Sequence, residues 1–311
     1  MRTYRALVVA TLVLTFAVVV VGAYVRLSDA GLGCPDWPFC YGKPAPGAEV
    51  ADAAKAWKEM GHRYLVGLLG TLIIAITVLA WGTRRSPWLA TAIVALVIFQ
   101  ATLGKWTVTM LLKPAIVTAH LLGGMATLAL LTWLALAQWN FSASDEARTL
   151  RAPALAAIVV LAIQIALGGW VSANYAALAC PDLPGCLGAL LPPMDFANAF
   201  HVLRELGKTG EGELLPREAL TAIHWTHRVF ALVVVLVIAW CALRTIRIKT
   251  LRGLGLLVAA LIVLQFSLGV ANVALGLPLA LAAAHNAGAA LLIIALVVLN
   301  FFSLRGLGPH W

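Results

Sequence analysis

The chain has 311 residues, of which 62% are hydrophobic and only 11% are charged, and its mean hydropathy is +0.95. Because a soluble domain carries roughly 25% charged residues, this composition excludes a soluble globular protein and indicates a polytopic membrane protein. The formal net charge of +9 would suggest nucleic-acid binding in a soluble chain. In a membrane protein the placement of basic residues instead reports orientation, and we predict no nucleic-acid partner.

Apolar stretches long enough to cross a bilayer recur along the whole chain. A spanning helix needs about 20 mostly apolar residues. Eight stretches meet this length approximately, at residues 6–25, 64–82, 88–106, 115–138, 152–171, 229–243, 254–273 and 278–302. The sixth is short unless residues before Val229 join it. The sequence therefore predicts an all-α polytopic membrane protein with eight transmembrane helices in the lipid bilayer.

The basic residues predict which side each connection faces. With eight spans, the connections at 83–85, 148–151 and 244–252 lie on the same side as both termini, and all are basic. Cytoplasmic connections are enriched in Lys and Arg, so we predict that both termini are cytoplasmic. The other side carries an equal share of Lys and Arg, but mainly in two long loops that also hold most of the acidic residues. We therefore place the large loops on the outer side.

Three stretches of the sequence occur twice. The two copies of each stretch are separated by the same number of residues as His62 and His227. The residues repeated at this interval are Glu59-Met60-Gly61-His62-Arg63 with His224-Trp225-Thr226-His227-Arg228, His120 with His285, and Gln100-Ala101-Thr102-Leu103-Gly104 with Gln265-Phe266-Ser267-Leu268-Gly269. Three matches at one spacing indicate an internal duplication. We predict two homologous halves, an N-terminal one at 1–140 and a C-terminal one at 141–311.

Each half contains a pair of histidines near the outer ends of its spans. His62 and His120 form the first pair, and His227 and His285 form the second. We expect both rings of a pair at similar depth on neighbouring helices, an arrangement that would hold the iron of a porphyrin between two axial imidazoles. A histidine hydrogen-bonded to a neighbouring helix is the alternative. Zinc fits less well, because two ligands leave a tetrahedral site incomplete.

Charged residues beside the histidines differ between the halves. Arg63 and Arg228 follow their histidines, where each could bind a haem propionate or extend to the interface as a snorkelling arginine. Glu59 shares a helix face with His62, whereas His224 takes its place in the second half. This difference suggests that the first site performs chemistry, with Glu59 taking a proton or stabilising a cation. The alternative is an acid favoured by the helix dipole.

Four of the five cysteines form two close pairs in the outer loops. Cys34 and Cys40 form one pair, and Cys180 and Cys186 form the other with the same internal spacing. The intervening residues, proline among them, are too many for a CxxC redox motif. We therefore favour structural disulfides over redox-active ones, and we interpret Cys241 as a buried apolar residue.

These motifs together resemble the haem A synthase family. The resemblance rests on Gly31-Leu32-Gly33-Cys34-Pro35-Asp36-Trp37-Pro38, on Glu59-x-x-His62-Arg63 and on the three further repeat histidines, and it covers nearly the whole chain. It implies a fold of two pseudo-symmetric four-helix bundles, one in each half of the chain. It also implies a bacterial plasma-membrane enzyme that oxidises the C8 methyl group of haem O to a formyl group, giving haem A for terminal oxidases.

The resemblance also implies roles for individual residues. The substrate haem O would be bound by His62, His120 and Arg63, and a haem b cofactor by His227, His285 and Arg228. Glu59 matches the functional glutamate of the family. The implied partners are haem O synthase and an unidentified electron-transfer partner, and a homo-oligomer is a further expectation.

Two other functions compete with this interpretation. A membrane cytochrome with two bis-histidine haems b, exchanging electrons with quinone, accounts for everything except Glu59 and the cysteine loops. Internal repeats also occur in transporters, but the polar residues here gather at the outer edge of the spans. The transporter is therefore the weaker alternative.

Overall fold

The computed structural model describes residues 2–47 and 50–308, and these residues are mostly helical apart from two long loops. The helices are α1 (Arg2–Leu27), α2 (Ala53–Thr83), α3 (Pro87–Thr109), α4 (Pro114–Leu136), α5 (Asp145–Arg148), α6 (Arg151–Ala173), α7 (Phe196–Ala199), α8 (Arg217–Ile246), α9 (Arg252–Ala274) and α10 (Leu279–Arg305). A 3₁₀ turn at Lys249–Leu251 precedes α9, and strands β1 (Ser142–Ala143) and β2 (Leu307–Gly308) pair antiparallel. Within the described residues, eight of the helices are long and apolar enough to span a membrane, which confirms the predicted multi-pass, all-α class.

Local sequence signals account for several helix boundaries. Pro87 and Pro114 occupy the first turns of α3 and α4, where a missing N–H costs nothing and the fixed φ favours the helix. The Asp52 carboxylate caps α2 by accepting the amide N–H of Lys55 at 3.1 Å. At the end of α10, Gly306 adopts φ 61°, the left-handed conformation that commonly ends a helix.

Helices α2 and α8 begin well before the spans predicted from hydropathy at 64–82 and 229–243. They start at Ala53 and Arg217 and contain 31 and 30 residues. Hydropathy missed these first turns because they carry charged and polar side chains. Those side chains find partners in the outer loops, so the helix continues beyond the apolar stretch. As a result His62 and His227 lie inside their helices and do not precede them.

The long helices pack in two rings with the same order. In the first ring α1, α2, α3 and α4 each pack on the next and α4 returns to α1, and in the second α6, α8, α9 and α10 do the same. Helices α2 and α4 therefore face each other diagonally, as do α8 and α10. The expectation that paired histidines lie on neighbouring helices was wrong, because the ring places α1 and α3, or α6 and α9, between them.

Between the rings, α4 packs on α10 and α6, and α1 packs on α10. Helix α1 corresponds to α6, and α4 corresponds to α10. Exchanging these helices leaves the same set of contacts, which agrees with a pseudo-twofold relation between the two halves. The division of the chain at residues 140 and 141 stays a prediction. A hydrogen bond also joins the two rings at the end that carries the disulfide loops. There Arg26 at the end of α1 donates to the carbonyl of Ser172 at the end of α6, at 2.8 Å.

Candidate functional site

The cysteines of each outer loop are joined as predicted, in disulfides Cys34–Cys40 and Cys180–Cys186. An aspartate closes each loop. Both carboxylate oxygens of Asp36 accept backbone amides, from Tyr41 at 2.7 Å and Gly42 at 2.8 Å. The same pattern recurs in the second loop, so the duplication extends to the hydrogen bonds of the loops.

The second loop repeats these bonds around Asp182, which accepts the amides of Leu187 at 2.6 Å and Gly188 at 2.9 Å. The bond from Gly188, followed by that from Leu187, holds the pKa of Asp182 below its ordinary value. A lowered carboxyl pKa means that the stabilisation is present above the unfolded-state pKa, about 3.9, and is lost as pH falls through the folded-state pKa.

We expect the Asp182→Asn variant to lose one of these acceptors, and its Cys180–Cys186 disulfide to be reduced faster than that of the native chain at pH 7. A phosphine reductant acts at acidic as well as neutral pH, so the same assay tests the sign of the pH dependence. The native disulfide should approach the rate of the variant below about pH 4. Equal rates at pH 7 would contradict a structural role for this carboxylate.

Arg63 and Arg228 anchor the disulfide loops to the helices. Nη1 of Arg63 donates to the carbonyls of Asp36 at 2.8 Å and Phe39 at 2.7 Å. Arg228 donates through Nη2 to the carbonyls of Asp182 at 3.0 Å and Pro184 at 3.1 Å. Neither arginine is a free snorkelling side chain. Nη2 of Arg63 is buried without a hydrogen-bond partner among the described residues. This donor is available for a haem propionate, and binding of a propionate stays a prediction.

Glu59 and His224 occupy equivalent positions but make different bonds. Oε1 of Glu59 accepts Nε of Arg63 at 3.1 Å, and the Glu59 residue is 8% exposed. His224 accepts the amide N–H of Cys180 through Nδ1 at 3.2 Å. His224 is thus engaged by its disulfide loop. The first half alone has a carboxylate one helical turn outward from its histidine.

The histidine rings of the first half lie against glycines of the neighbouring helices. A Cβ atom placed on Gly22 of α1 would lie 2.8 Å from Cε1 of His62, and one on Gly104 of α3 would lie 3.4 Å from Cε1 of His120. Contacts as short as the first are not compatible with a side chain at Gly22 unless the ring moves. The glycine therefore fixes how deeply the imidazole sits in the bundle.

The second half repeats this arrangement. A Cβ atom on Gly168 of α6 would lie 3.0 Å from Cε1 of His227, and one on Gly269 of α9 would lie 3.3 Å from Cε1 of His285. Sequence reasoning did not give these glycines a role. The repeat could have identified them. Gly104 and Gly269 have the same separation as the repeated histidines, and Gly22 and Gly168 have the same separation as the two disulfide loops.

In the second half, glutamine side chains of the neighbouring helices donate hydrogen bonds to the backbone carbonyls of the histidines. Nε2 of Gln265 donates to the carbonyl of His285 at 2.9 Å, and Nε2 of Gln164 donates to the carbonyl of His227 at 3.1 Å. In the first half, Gln100 is equivalent to Gln265, but the residue equivalent to Gln164 is Val18. The polar support behind the second pair is therefore more extensive than behind the first.

The residues of both pairs fit an axially ligated haem. All four rings have a buried Nδ1 without a hydrogen-bond partner among the described residues, in His62, His120, His227 and His285. Within the same residues no group of three or more His, Cys, Asp or Glu side chains could hold a metal ion. Two imidazoles do not suffice for a bare ion, but they complete the coordination of an iron already held by a macrocycle.

We expect Gly168→Ala to displace the His227 ring and weaken haem binding in the second half. Forcing a methyl group into a packed site costs about 1–3 kcal/mol. Haem content after purification measures the effect. Gly67→Ala on α2 is the matched control, because no atom lies within 4 Å of the added Cβ. Equal haem retention by the two variants would show that Gly168 does not position the ring.

Known proteins resemble this chain over nearly its whole length. The family profile described as cytochrome oxidase assembly protein (COX15-CtaA) matches residues 5–297. A haem A synthase of Shewanella oneidensis is 44% identical over 310 residues, covering 94% of this chain and 94% of the relative. A haem A synthase of Caulobacter vibrioides is 30% identical, covering 90% of each, and one of Rhizorhabdus wittichii is 29% identical, covering 92% and 89%. The chain therefore belongs to the COX15-CtaA family of cytochrome oxidase assembly proteins.

Proposed function

We propose that this protein is a haem A synthase, an oxidoreductase that acts on a C–H group and converts the C8 methyl of haem O into the formyl of haem A. The observation that carries the proposal is the difference between two otherwise repeated sites, since Glu59 accompanies His62 while His224 is bound by the cysteine loop beside His227. The near-full-length identity to relatives named haem A synthase supports the same reaction.

The asymmetry also supports a division of roles. His62 and His120 would bind the iron of the substrate haem O, with Arg63 close to its propionates. His227 and His285 would bind a haem b cofactor, with Arg228 in the equivalent place. The more extensive glutamine support of the second pair suits a cofactor that stays bound through many turnovers.

The reaction needs successive hydroxylation of the methyl carbon, followed by loss of water from the resulting gem-diol. Each hydroxylation inserts one oxygen atom and oxidises that carbon by two electrons. With water as the oxygen source the redox partner takes up both electrons, and with dioxygen the partner supplies two electrons that reduce the second oxygen atom to water. Glu59 accepts a proton or stabilises positive charge developing at the carbon, as a buried carboxylate close to a reacting centre would. Arg63 holds Glu59 in place through its Nε. A haem b bound in the second half supplies one-electron transfer.

The basic short connections and the disulfides of the large loops support a position in the bacterial plasma membrane with both termini cytoplasmic. The histidines and disulfide loops then face the outer side. Haem O, made by haem O synthase in the same membrane, is the substrate, and an electron-transfer protein or quinone is the expected redox partner. A homo-oligomer is compatible with this arrangement.

The proposal is tested by producing the chain in a host that makes haem O but no haem A and then extracting and separating the haems. We expect haem A, or its hydroxylated precursor, with the native chain and neither product with His62→Ala. A dihaem b cytochrome is the alternative, favoured by the similarity of the two histidine pairs. Haem b as the sole bound haem, unchanged by abundant haem O, would support that alternative.

A further inference from the structure

A groove of about 510 Å³ runs between α1 and α2 and reaches His62. Its volume is within the range of small-molecule sites, about 300–1,000 Å³. Most of its wall is apolar, formed by Val21, Tyr24, Val25, Trp57 and Leu65. Gly61 forms part of the wall, and no atom lies within 4 Å of a Cβ placed there. The groove therefore connects a histidine of the first half with the apolar surface of the bundle.

The equivalent surface of the second half is covered. Trp57, which is 49% exposed, corresponds in the repeat to Ala222, which is fully buried. Lys58 corresponds to Ile223, which is 1% exposed, and Tyr24 corresponds to the buried Trp170. Among the described residues, the repeat thus places the same two helices side by side in each half, but the part of the space beside Trp57 and Tyr24 is accessible in the first half and its counterpart is buried in the second.

The covering segment lies between residues 192 and 217, in the part of the chain where the second half is longer than the first. Its helix α7 packs on α8, and the carbonyl of Ala199 accepts the indole N–H of Trp170 at 2.8 Å. Arg204, 2% exposed, donates to Oδ1 of Asn174 at 2.6 Å. These bonds attach the segment to the end of α6.

A cation faces the equivalent aromatic ring in both halves. Nζ of Lys58 lies 5.3 Å from the ring centroid of Tyr24, and the guanidinium carbon of Arg204 lies 5.6 Å from that of Trp170. Both distances suit a cation–π contact. In the second half the cation comes from the buried covering segment. In the first half the cation is Lys58 of α2 itself, whose side chain is flexible.

We propose that the groove between α1 and α2 binds the isoprenoid chain of haem O and admits this substrate from the bilayer, whereas the segment 192–217 closes the equivalent passage and retains haem b. The inference rests on the proposed function. Haem O carries a long apolar chain that haem b lacks, and apolar walls beside His62 would bury that chain. An accessible groove suits a molecule that must enter and leave at each turnover, and a covered one suits a permanent cofactor.

The first test compares binding of haem O and haem b by the purified chain in lipid nanodiscs, followed by absorbance titration. Gly61→Phe should fill the groove, because no atom lies within 4 Å of a Cβ placed at Gly61 and the ring beyond it would occupy the space between the walls. We expect it to weaken haem O binding by at least about tenfold while binding of added haem b to the first half changes little. Gly67→Phe, elsewhere on α2, should leave both unchanged. Equal effects of Gly61→Phe on the two haems would overturn the inference.

A second readout avoids a bulky substitution. In Gly61→Cys the new thiol lines the groove, and its alkylation rate by a membrane-permeant maleimide reports access. Haem O should slow alkylation, haem b should not, and Gly67→Cys should be protected by neither. Equal protection of Gly61→Cys by both haems, or by neither, would contradict occupation by the isoprenoid chain.

The covering segment is tested through Arg204→Ala. We expect haem b to transfer to excess apomyoglobin about tenfold faster from this variant than from the native chain, because affinity changes appear mainly in the dissociation rate. An unchanged transfer rate would show that the segment does not retain the cofactor.

These measurements separate the inference from the proposed function. If the native chain converts haem O but Gly61→Phe binds it as tightly as before, the groove assignment alone is wrong. If the native chain binds no haem O, both the proposed function and the groove assignment are wrong.

Discussion

Replacing Glu59 by glutamine is expected to lower haem A formation by about 100-fold or more, the usual contribution of a positioned acid–base group. Glutamine keeps an oxygen that can accept Nε of Arg63, so the contact that Glu59 makes at 3.1 Å and the loop that Arg63 anchors should survive. The loss therefore isolates the carboxylate. It is measured as product formed per unit of substrate haem bound in the first half.

The control for this variant is Glu211→Gln, which changes an exposed acid of the outer segment and should leave product formation unchanged. Substrate binding by Glu59→Gln should stay close to that of the native chain, because His62 and His120 are unaltered. A Glu59→Gln protein that makes haem A at the native rate would remove the proposed role.

The second large effect is expected from the histidines, tested as a matched pair of variants. His227→Ala should lose haem b and with it all turnover, while still binding haem O in the first half. His62→Ala should keep haem b but lose substrate binding and product. The reason is that, in the proposed arrangement, each histidine is an axial ligand of the haem in its own half, and the two halves carry separate histidine pairs.

Lys249→Ala serves as the control, since Lys249 is exposed in the turn before α9 and should not affect haem content. The haem bound by each purified variant is identified after extraction. Loss of both haems from either single variant, in a chain that remains folded by circular dichroism, would contradict independent sites.

The duplication made much of the fold predictable. One constant repeat spacing identified the four histidines, and eight apolar stretches located the long helices. Hydropathy failed at the first turns of α2 and α8, because it scores Glu59 and Arg63 as unfavourable without knowing that they bond to each other and to a loop. For α2 the Asp52 cap marks the first turn, and tertiary partners stabilise the charged residues that follow in both helices.

Other features of the site depend on three-dimensional packing. The sequence placed paired histidines at one depth, but only the ring of helices shows that α2 and α4 face each other diagonally. The contact of Gly22 with His62 depends on which face of α1 meets α2. The covering of Trp170 by residues around Ala199 depends on how a polar loop folds back, for which periodicity gives no signal.

The inventory and exchange of bound haem test the central claim most directly. We would purify the chain from a host that makes haem b but no haem O, count the haems, then add haem O with a source of electrons and oxygen and extract again. The account predicts one tightly held haem b per chain, and added haem O that binds and returns as its hydroxylated or formyl product. Two permanent haems b per chain, with haem O recovered unchanged, would contradict it.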